Sequence, residues 1–245
     1  MRIPRIYTEQ ELSPHASLEL EPGPSQHIAR AMRMRPGDAL TVFNGMGGEY
    51  PATISAVGKK FVALELGELR DREVESPLAI HLGIAISRGD RMDWLIQKAT
   101  ELGVNSVSPV FTERVEVKLK GDRADKKRRH WQQIAIAACE QCGRNQLPQI
   151  NASQELSRWI DKTEADLKLV LHHRAPVESD HDISPSSIAL LIGPEGGLSE
   201  AEIGLSGNAG YQPLKLGPRV MRTETAPLAA IAILQARWGD ISLRL

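Results

Sequence analysis

The feature that most constrains the fold is a regular alternation of short apolar runs with longer amphipathic stretches after residue 77. Four apolar runs have the length of buried strands, at residues 78–86, 104–111, 167–171 and 188–192. Helical patterns lie between them, one beginning near Asp90 and stopping at Gly103, the other running from about Asp125 to Cys142. This alternation predicts an α/β domain with a largely parallel sheet.

The first 70 residues follow a different rhythm of short, mostly extended segments. Strands are predicted at residues 39–43, 50–57 and 61–66, with glycine-rich turn residues after the first of them. A short amphipathic stretch from Ser25 to Met34 is the one exception. We therefore expect a small β-barrel, and we place a domain boundary in the charged, proline-containing stretch 71–77, which gives domains of residues 1–72 and 73–245.

Bulk properties limit the function classes. A chain of 245 residues with a formal net charge of -1 has no global electrostatic attraction to nucleic acid, so any RNA site must be local. The N-terminal residues lack an apolar segment of signal-peptide length, and no run is long enough to span a membrane. A cytoplasmic location is expected.

The two cysteines, Cys139 and Cys142, form a C-x-x-C motif. A structural zinc ion would need two more ligands, and no second pair with suitable spacing is present. The motif also ends a helical pattern, whereas a thiol activated by a helix dipole would sit at the beginning of the helix. We interpret the pair as reduced helical thiols and expect no metal site.

A glycine-rich turn follows the apolar run that ends at Ile192. Gly193, Gly196 and Gly197 allow close ligand approach, and ligands of α/β sheets bind at the carboxyl ends of strands. Ser199 and Glu202 have capping-box spacing, which predicts a helix directly after the turn. The turn lacks either phosphate-binding glycine motif and contains Glu195, so a cationic ligand suits it better than a phosphate. A purely structural turn is the alternative.

A second informative segment runs from Leu214 to Ala226 and precedes an apolar, alanine-rich helix at residues 227–237. Thr225 is a reasonable N-cap, and the helix has so little polar surface that it should be covered nearly all round, for example at a subunit interface. Arg219, Arg222 and Glu224 in the loop require partners. They form either an internal ion-pair network or a site for a polyanion and a proton-bearing substrate.

Six segments together resemble one known family. They are RIPRIY at 2–7, KATELGV at 98–104, TERVEVKL at 112–119, AACEQCGRNQLPQI at 137–150, IGPEGGLS at 192–199 and LGPRVMRTETA at 216–226. In this order they strongly resemble the bacterial 16S rRNA uridine-N3 methyltransferases. Met221 and Pro227 are small departures from that pattern, and neither removes a group that the chemistry needs.

The resemblance implies an N-terminal PUA-like barrel for RNA and a C-terminal SPOUT domain, whose parallel sheet carries a deep trefoil knot, in a homodimer. Its cofactor would be S-adenosylmethionine, bound against three loops. The residues that this implies for the cofactor site are Leu171, His172, Ile192, Gly193, Glu195, Gly196, Gly197, Leu216, Gly217, Val220, Met221, Thr223 and Thr225.

The implied reaction methylates N3 of a uridine in the decoding region of 16S rRNA, in the small ribosomal subunit. Glu224 is the first candidate for the base that removes the N3 proton, and Arg222 for the group that stabilises charge on the uracil oxygens. Alternatives are a non-catalytic RNA-binding or ribosome assembly factor and a SPOUT methyltransferase acting on tRNA.

Contacts to RNA are expected from basic residues in two regions, residues 114–129 and the barrel. A solvated charged face is the alternative for the first region, where positive charge at the start of a helix opposes the helix dipole. The candidate RNA-binding residues are Arg2, Arg5, Arg30, Arg33, Arg88, Arg114, Lys118, Lys120, Lys126, Lys127 and Arg128.

Overall fold

The computed structural model describes residues 3–87, 89–115, 117, 119, 121–172 and 183–242. The chain divides into two units. The N-terminal unit comprises Met1–Glu75 together with Cys139–Leu147, and the C-terminal unit comprises Ser76–Ala138 together with Pro148–Leu245. Among the described residues, no helix is long and apolar enough to cross a membrane.

The N-terminal unit is built on a five-stranded sheet in the order β1-β3-β4-β5-β2. β1 runs parallel to β3, and the other neighbours are antiparallel. The strands at Ala39–Phe43 and Tyr50–Val57 are where the sequence predicts them. The elements are β1 (Arg5–Tyr7), β2 (Ser17–Glu19), α1 (Pro22–Gln26), a π-helical turn (His27–Met32), β3 (Ala39–Phe43), β4 (Tyr50–Val57) and β5 (Val62–Leu66).

Alternating side chains of this sheet form the core of the N-terminal unit. Along β4, Tyr50, Ala52 and Ile54 are buried while Thr53 and Ser55 are exposed, as the period of two for a half-buried strand requires. Ile28 of the π-helical turn is fully buried in the same cluster. The amphipathic stretch predicted around it therefore packs against the sheet.

The segment Cys139–Leu147 joins the N-terminal unit through buried polar contacts. The Arg144 guanidinium donates to both carboxylate oxygens of Glu75, from Nε at 3.0 Å and from Nη2 at 2.6 Å. Asn145 donates to the carbonyl oxygen of Arg72, and its Oδ1 accepts from Arg5 at 2.5 Å. These contacts explain why a segment distant in sequence belongs to this unit.

The predicted RNA-binding role of Arg5 is wrong. Its side chain is only 8% exposed, pairs with the Glu49 carboxylate, and stacks 4.8 Å from the centre of the Phe43 ring. A guanidinium held between a carboxylate and an aromatic ring inside the protein has no surface to offer a phosphate. Arg5 instead stabilises the N-terminal unit.

The C-terminal unit contains a parallel sheet in the order β12-β10-β11-β6-β7-β8, with β9 also paired to β7. The parallel α/β architecture is confirmed. The elements are β6 (Ala79–Ala85), α2 (Arg91–Glu101), β7 (Ser106–Phe111), α3 (Asp122–Cys142), β8 (Gln149–Ile150), β9 (Gln154–Glu155), α4 (Leu156–Lys162), β10 (Leu167–Leu171), β11 (Ser187–Ile192), α5 (Glu200–Asn208), β12 (Gln212–Leu214) and α6 (Ala226–Trp238).

The central strands β6 and β11 are buried on both faces, as expected for a parallel sheet covered by helices. α2 buries Met92, Leu95, Ile96 and Ala99, which share one face of the helix. Asp90 stands at the predicted N-cap position, but its side chain makes no capping hydrogen bond. The helix is therefore held by its apolar face.

α6 is only partly covered within one chain. Its N-cap position is Thr225, as expected, yet the Thr225 side chain makes no capping hydrogen bond. One face buries Ala230, Ile231 and Leu234, while Ile233 on another face is 51% exposed. Complete coverage of this helix is not reached within a single chain.

Both cysteines lie in the last turn of α3 as free thiols. Burial raises the pKa of the Cys139 thiol to about 12. A thiol with this pKa stays protonated at neutral pH and is a poor nucleophile. In the described part of the chain, no group of three or more His, Cys, Asp or Glu side chains is placed to hold a metal ion.

Candidate functional site

A pocket of about 380 Å³ lies at the carboxyl ends of three neighbouring parallel strands, β12, β10 and β11. Leu171 ends β10 and pairs in register with Leu214, which ends β12. The backbone N–H of His172 donates to the Leu214 carbonyl at 2.9 Å and extends this pairing by one residue. Because all three strands end at one edge of the sheet, the loops that follow them meet there.

The structure brings together nearly all of the residues predicted for the cofactor. Those that line the pocket are Leu171, His172, Ile192, Gly193, Glu195, Gly196, Gly197, Leu216, Gly217, Val220, Met221 and Thr223. Thr225, Arg222 and Glu224 are absent from its described lining, although Met221 and Thr223 beside them contribute. The two predicted catalytic residues are thus close to the pocket in sequence but do not form its wall.

The glycine turn, residues 193–197, is held on both sides. The Gly197 N–H donates to the Pro194 carbonyl at 2.8 Å, and Gly197 has φ of +70°. A Cβ at Gly193 would lie 3.0 Å from the backbone nitrogen of Leu198. A side chain at residue 193 would therefore crowd the backbone of the turn itself.

The helix after the turn begins with the predicted capping box. The Ser199 hydroxyl accepts from the Glu202 N–H, and the Glu202 carboxylate accepts from the Ser199 N–H at 2.8 Å. Glu202 also accepts from the Glu113 N–H at 2.8 Å, which ties the start of α5 to the loop after β7. Such caps are each worth about 1 kcal/mol, so the position of the turn is well defined.

Arg114 belongs to the pocket, whereas its sequence context predicted an RNA contact. Its Nη1 donates to the Gly196 carbonyl at 2.5 Å and lies 3.5 Å from the Leu198 carbonyl. It thereby braces the glycine turn from outside. Motif spacing gave no sign of this, because Arg114 lies 82 residues before Gly196 and reaches it only through the sheet.

The charge of Glu195 is balanced by a cation. Its carboxylate accepts from Arg91 at 2.6 Å in an ion pair whose side chains are 43% and 45% exposed. Arg91 therefore offsets part of the negative charge that Glu195 brings to the turn. An exposed pair of this kind contributes about 0–1 kcal/mol, so its main effect is to set the local charge.

No internal ion-pair network involving Arg219, Arg222 or Glu224 occurs among the described residues, since none of the three contacts an opposite charge there. Arg219 lines the pocket with an exposed side chain. The alternative in which these three charges only stabilise one another is thus not supported. Their charges are available to a ligand or a partner.

The basic region differs from the prediction in two ways. α3 begins at Asp122, three residues before the predicted start, and Asp122 and Asp125 in its first turn offset the basic residues there. Lys127 has a structural role, because it pairs with Asp93 at 3.3 Å and lies 5.6 Å from the centre of the Trp131 ring.

Asp93 is the centre of that cluster. Burial alone would raise the pKa of Asp93, but hydrogen bonds from His130 and Lys127 outweigh it and hold this pKa below its ordinary value. Of the other predicted RNA contacts, those with exposed side chains are Arg30, Arg33, Lys126 and Arg128. Arg2, Arg88, Lys118 and Lys120 lie outside the described residues.

A parallel sheet with a glycine turn and a small-ligand pocket at its carboxyl edge defines an α/β ligand-binding protein, here joined to a small β unit. Two family models match the chain, one described as an RNA methyltransferase domain at residues 74–235 and one as an RNA methyltransferase PUA domain at residues 25–67. The chain belongs to this RNA methyltransferase family, and within it to the small-subunit ribosomal RNA methyltransferase E group.

Similar proteins cover almost the whole chain. The ribosomal RNA small subunit methyltransferase E of Buchnera aphidicola is 37% identical over 243 residues, 98% of this chain and 99% of the relative. The same-named protein of Neisseria gonorrhoeae, solved bound to S-adenosylmethionine, is 38% identical with a TM-score of 0.92 over 98% and 100% of the two chains. A Legionella pneumophila protein solved with the same cofactor is 44% identical, with a TM-score of 0.93 over 98% and 100%.

Proposed function

We propose that this protein transfers the methyl group of S-adenosylmethionine to N3 of a uridine in the decoding region of 16S rRNA, within the small ribosomal subunit. The observation that carries the proposal is the meeting of the glycine turn, the end of β10 and residues 216–223 in one pocket. Two similar proteins were solved with this cofactor. The cytoplasm, where ribosomal subunits are present, is the proposed location.

The pocket fits the cofactor in size and chemistry. Its volume of about 380 Å³ lies in the usual range for small-molecule sites. Leu171, Leu214 and Leu216 offer an apolar wall to an adenine ring, and the exposed Arg219 offers a cation to a carboxylate. The absent side chain of Gly193 keeps space next to the backbone. We therefore assign this pocket to S-adenosylmethionine.

When bound, the cofactor supplies an electrophilic methyl group on a sulfonium. The residues of the pocket would have to align that group with the acceptor and keep water away, since displacement depends mainly on orientation. Arg114 holds the glycine turn by its bond to the Gly196 carbonyl. The roles of Glu224 as base and Arg222 as charge-stabilising group stay predictions.

A trefoil knot is part of the proposal. β12 lies at one edge of the sheet, yet the chain continues to α6, which packs against α2. Since α2 follows the inner strand β6, the segment 215–225 must cross from the edge of the sheet towards its centre. In a knot at this position, segment 215–225 would pass through a loop of the chain before it reaches α6.

RNA recognition is assigned to the N-terminal unit, whose residues 25–67 match the PUA model, and to the exposed cations of α3. Arg30 and Arg33 are both exposed and lie three residues apart, and Lys126 and Arg128 on α3 are both exposed and lie two residues apart. Each phosphate contact to a single strand lowers the slope of log affinity against log salt by about 0.7. Neutralising all four cations should therefore weaken RNA binding and make its affinity less dependent on salt concentration.

The direct test is methyl transfer by the purified protein with radiolabelled S-adenosylmethionine. Substrates are 30S subunits, deproteinised 16S rRNA and bulk tRNA, with mass mapping of the labelled nucleotide. We expect 3-methyluridine in 16S rRNA. Label in tRNA alone would identify a tRNA enzyme instead, and cofactor binding by calorimetry without any transfer would identify a non-catalytic assembly factor.

A homodimer is also proposed, because α6 leaves Ile233 51% exposed and apolar. We expect Ile233→Asp to convert the protein from dimer to monomer in sedimentation velocity, since a buried charge at an interface is costly. Leu205→Asp on α5, where the leucine is 38% exposed, is the matched control and should leave the dimer intact. A dimer unaffected by Ile233→Asp would exclude this face.

A further inference from the structure

A second pocket, of about 730 Å³, shares a wall with the cofactor pocket. Arg114, Glu195 and Gly196 line both, so the two pockets adjoin at the glycine turn. Ile86, Val115 and Val117 give the second pocket an apolar stretch of wall. A flat ring can pack against such a wall.

The charged groups of the second pocket are not all used within the protein. Arg91 and Glu195 pair with each other at 2.6 Å. Asp90 lines the pocket as the N-cap residue of α2, yet its carboxylate makes no hydrogen bond or ion pair with any described residue. Arg114 bonds the turn through Nη1 only, so its Nε and Nη2 donors remain free among the described residues.

Among the described residues that line the second pocket, the Asp90 carboxylate is therefore left as an acceptor and the Arg114 guanidinium as a donor. The imide edge of uracil carries one N–H between two carbonyl oxygens, so a carboxylate can accept from N3 while a guanidinium donates to a neighbouring oxygen. Cytosine presents a lone pair at N3, which a carboxylate repels. A site with this pair of groups would favour uracil over cytosine.

We propose that the second pocket receives the target uridine, that Asp90 accepts the N3 proton, and that Arg114 donates to a uracil carbonyl oxygen. This inference rests on the proposed methyl transfer. The N3–H electron pair forms the new N3–CH₃ bond while the methyl–sulfur bond breaks, and its electrons return to sulfur. The proton passes to the Asp90 carboxylate and, because Asp90 is exposed, on to water.

The first test is Asp90→Asn, measured as kcat and KM for RNA together with the Kd for S-adenosylmethionine by calorimetry. We expect kcat to fall by about 10²- to 10⁴-fold, the usual contribution of a positioned base, with the cofactor Kd unchanged. Asp161→Asn, an exposed carboxylate on α4, is the matched control and should behave as wild type. Full activity in Asp90→Asn, with loss in Glu224→Gln, would overturn the inference in favour of Glu224.

The second test locates the target uracil ring in the enzyme without relying on turnover. A 16S rRNA fragment with 4-thiouridine at the methylated position is irradiated with the enzyme, and the crosslinked peptide is mapped by mass spectrometry. We expect attachment at Ile86, Asp90 or Val115. Attachment only elsewhere in the chain would contradict the inference.

A third variant fills the pocket. Val115→Phe should lower methyl transfer by at least about 100-fold while the cofactor still binds, and Val74→Phe, at a 37% exposed position of the N-terminal unit, should not. Wild-type protein that methylates no RNA would overturn both proposals. Wild-type methylation with fully active Asp90→Asn and Val115→Phe variants would overturn only the second.

Discussion

Replacing Glu75 by alanine is expected to lower the free energy of unfolding by about 3–5 kcal/mol. Glu75 binds the Arg144 guanidinium at two positions, and the two side chains are only 13% and 5% exposed. Removing the carboxylate leaves a cation buried without this countercharge, which costs far more than losing a surface ion pair. For a chain of this size the melting temperature should fall by about 6–20 °C.

Two further variants separate charge from packing. Glu68→Ala removes a carboxylate of the same unit whose side chain is 75% exposed, and should change stability by less than about 0.5 kcal/mol. The double variant Glu75→Met with Arg144→Met removes both charges and should recover much of the loss, as apolar replacements of buried pairs do elsewhere. A Glu75→Ala protein as stable as wild type in urea denaturation would show that the pair does not anchor residues 139–147.

Gly193→Val is expected to weaken S-adenosylmethionine binding by at least about 100-fold, equal to about 2.7 kcal/mol. The first atom of any side chain at residue 193 would lie 3.0 Å from the Leu198 backbone nitrogen and from its Cγ. A backbone atom cannot turn aside as a flexible side chain can, so the turn itself would have to move. Because Gly193 lines the pocket, that movement would change the shape of the proposed cofactor site.

The matched control is Gly204→Val, the same substitution on α5 at an exposed glycine with no atom within 4 Å of the added Cβ. It should bind the cofactor with wild-type affinity in calorimetry. Melting curves of both variants check that the fold is retained. Tight binding by Gly193→Val would place the cofactor outside this pocket and would remove the basis of the proposed function.

Local patterns in the sequence predicted the elements that surround the pocket. The period of the apolar residues indicates β10, β11 and α2, and the Ser199–Glu202 spacing fixes the start of α5. These features depend on neighbours within a few residues. The glycine turn could be placed at a strand end for the same reason, and family resemblance then connected it with the loops at residues 171–172 and 216–225.

Contacts between distant segments could not be predicted in this way. Arg5, Arg114 and Lys127 were all predicted to contact RNA. The sequence around a basic residue does not indicate whether a carboxylate or carbonyl from a distant segment binds it in the fold. Arg91 likewise neutralises Glu195 from 104 residues away. The second pocket has the same origin, since its walls come from segments that only the parallel sheet brings together.

The attachment of residues 139–147 to the N-terminal unit limits how this protein can be divided. A fragment that stops at residue 72 would keep all five strands but lose Glu75 and Arg144, and it would leave Arg5 without Asn145. The first unit is thus completed by chain made much later in translation. Exchanging the N-terminal unit between relatives would require two separate stretches of chain to be replaced at once. A swap of the N-terminal residues alone would leave the unit incomplete.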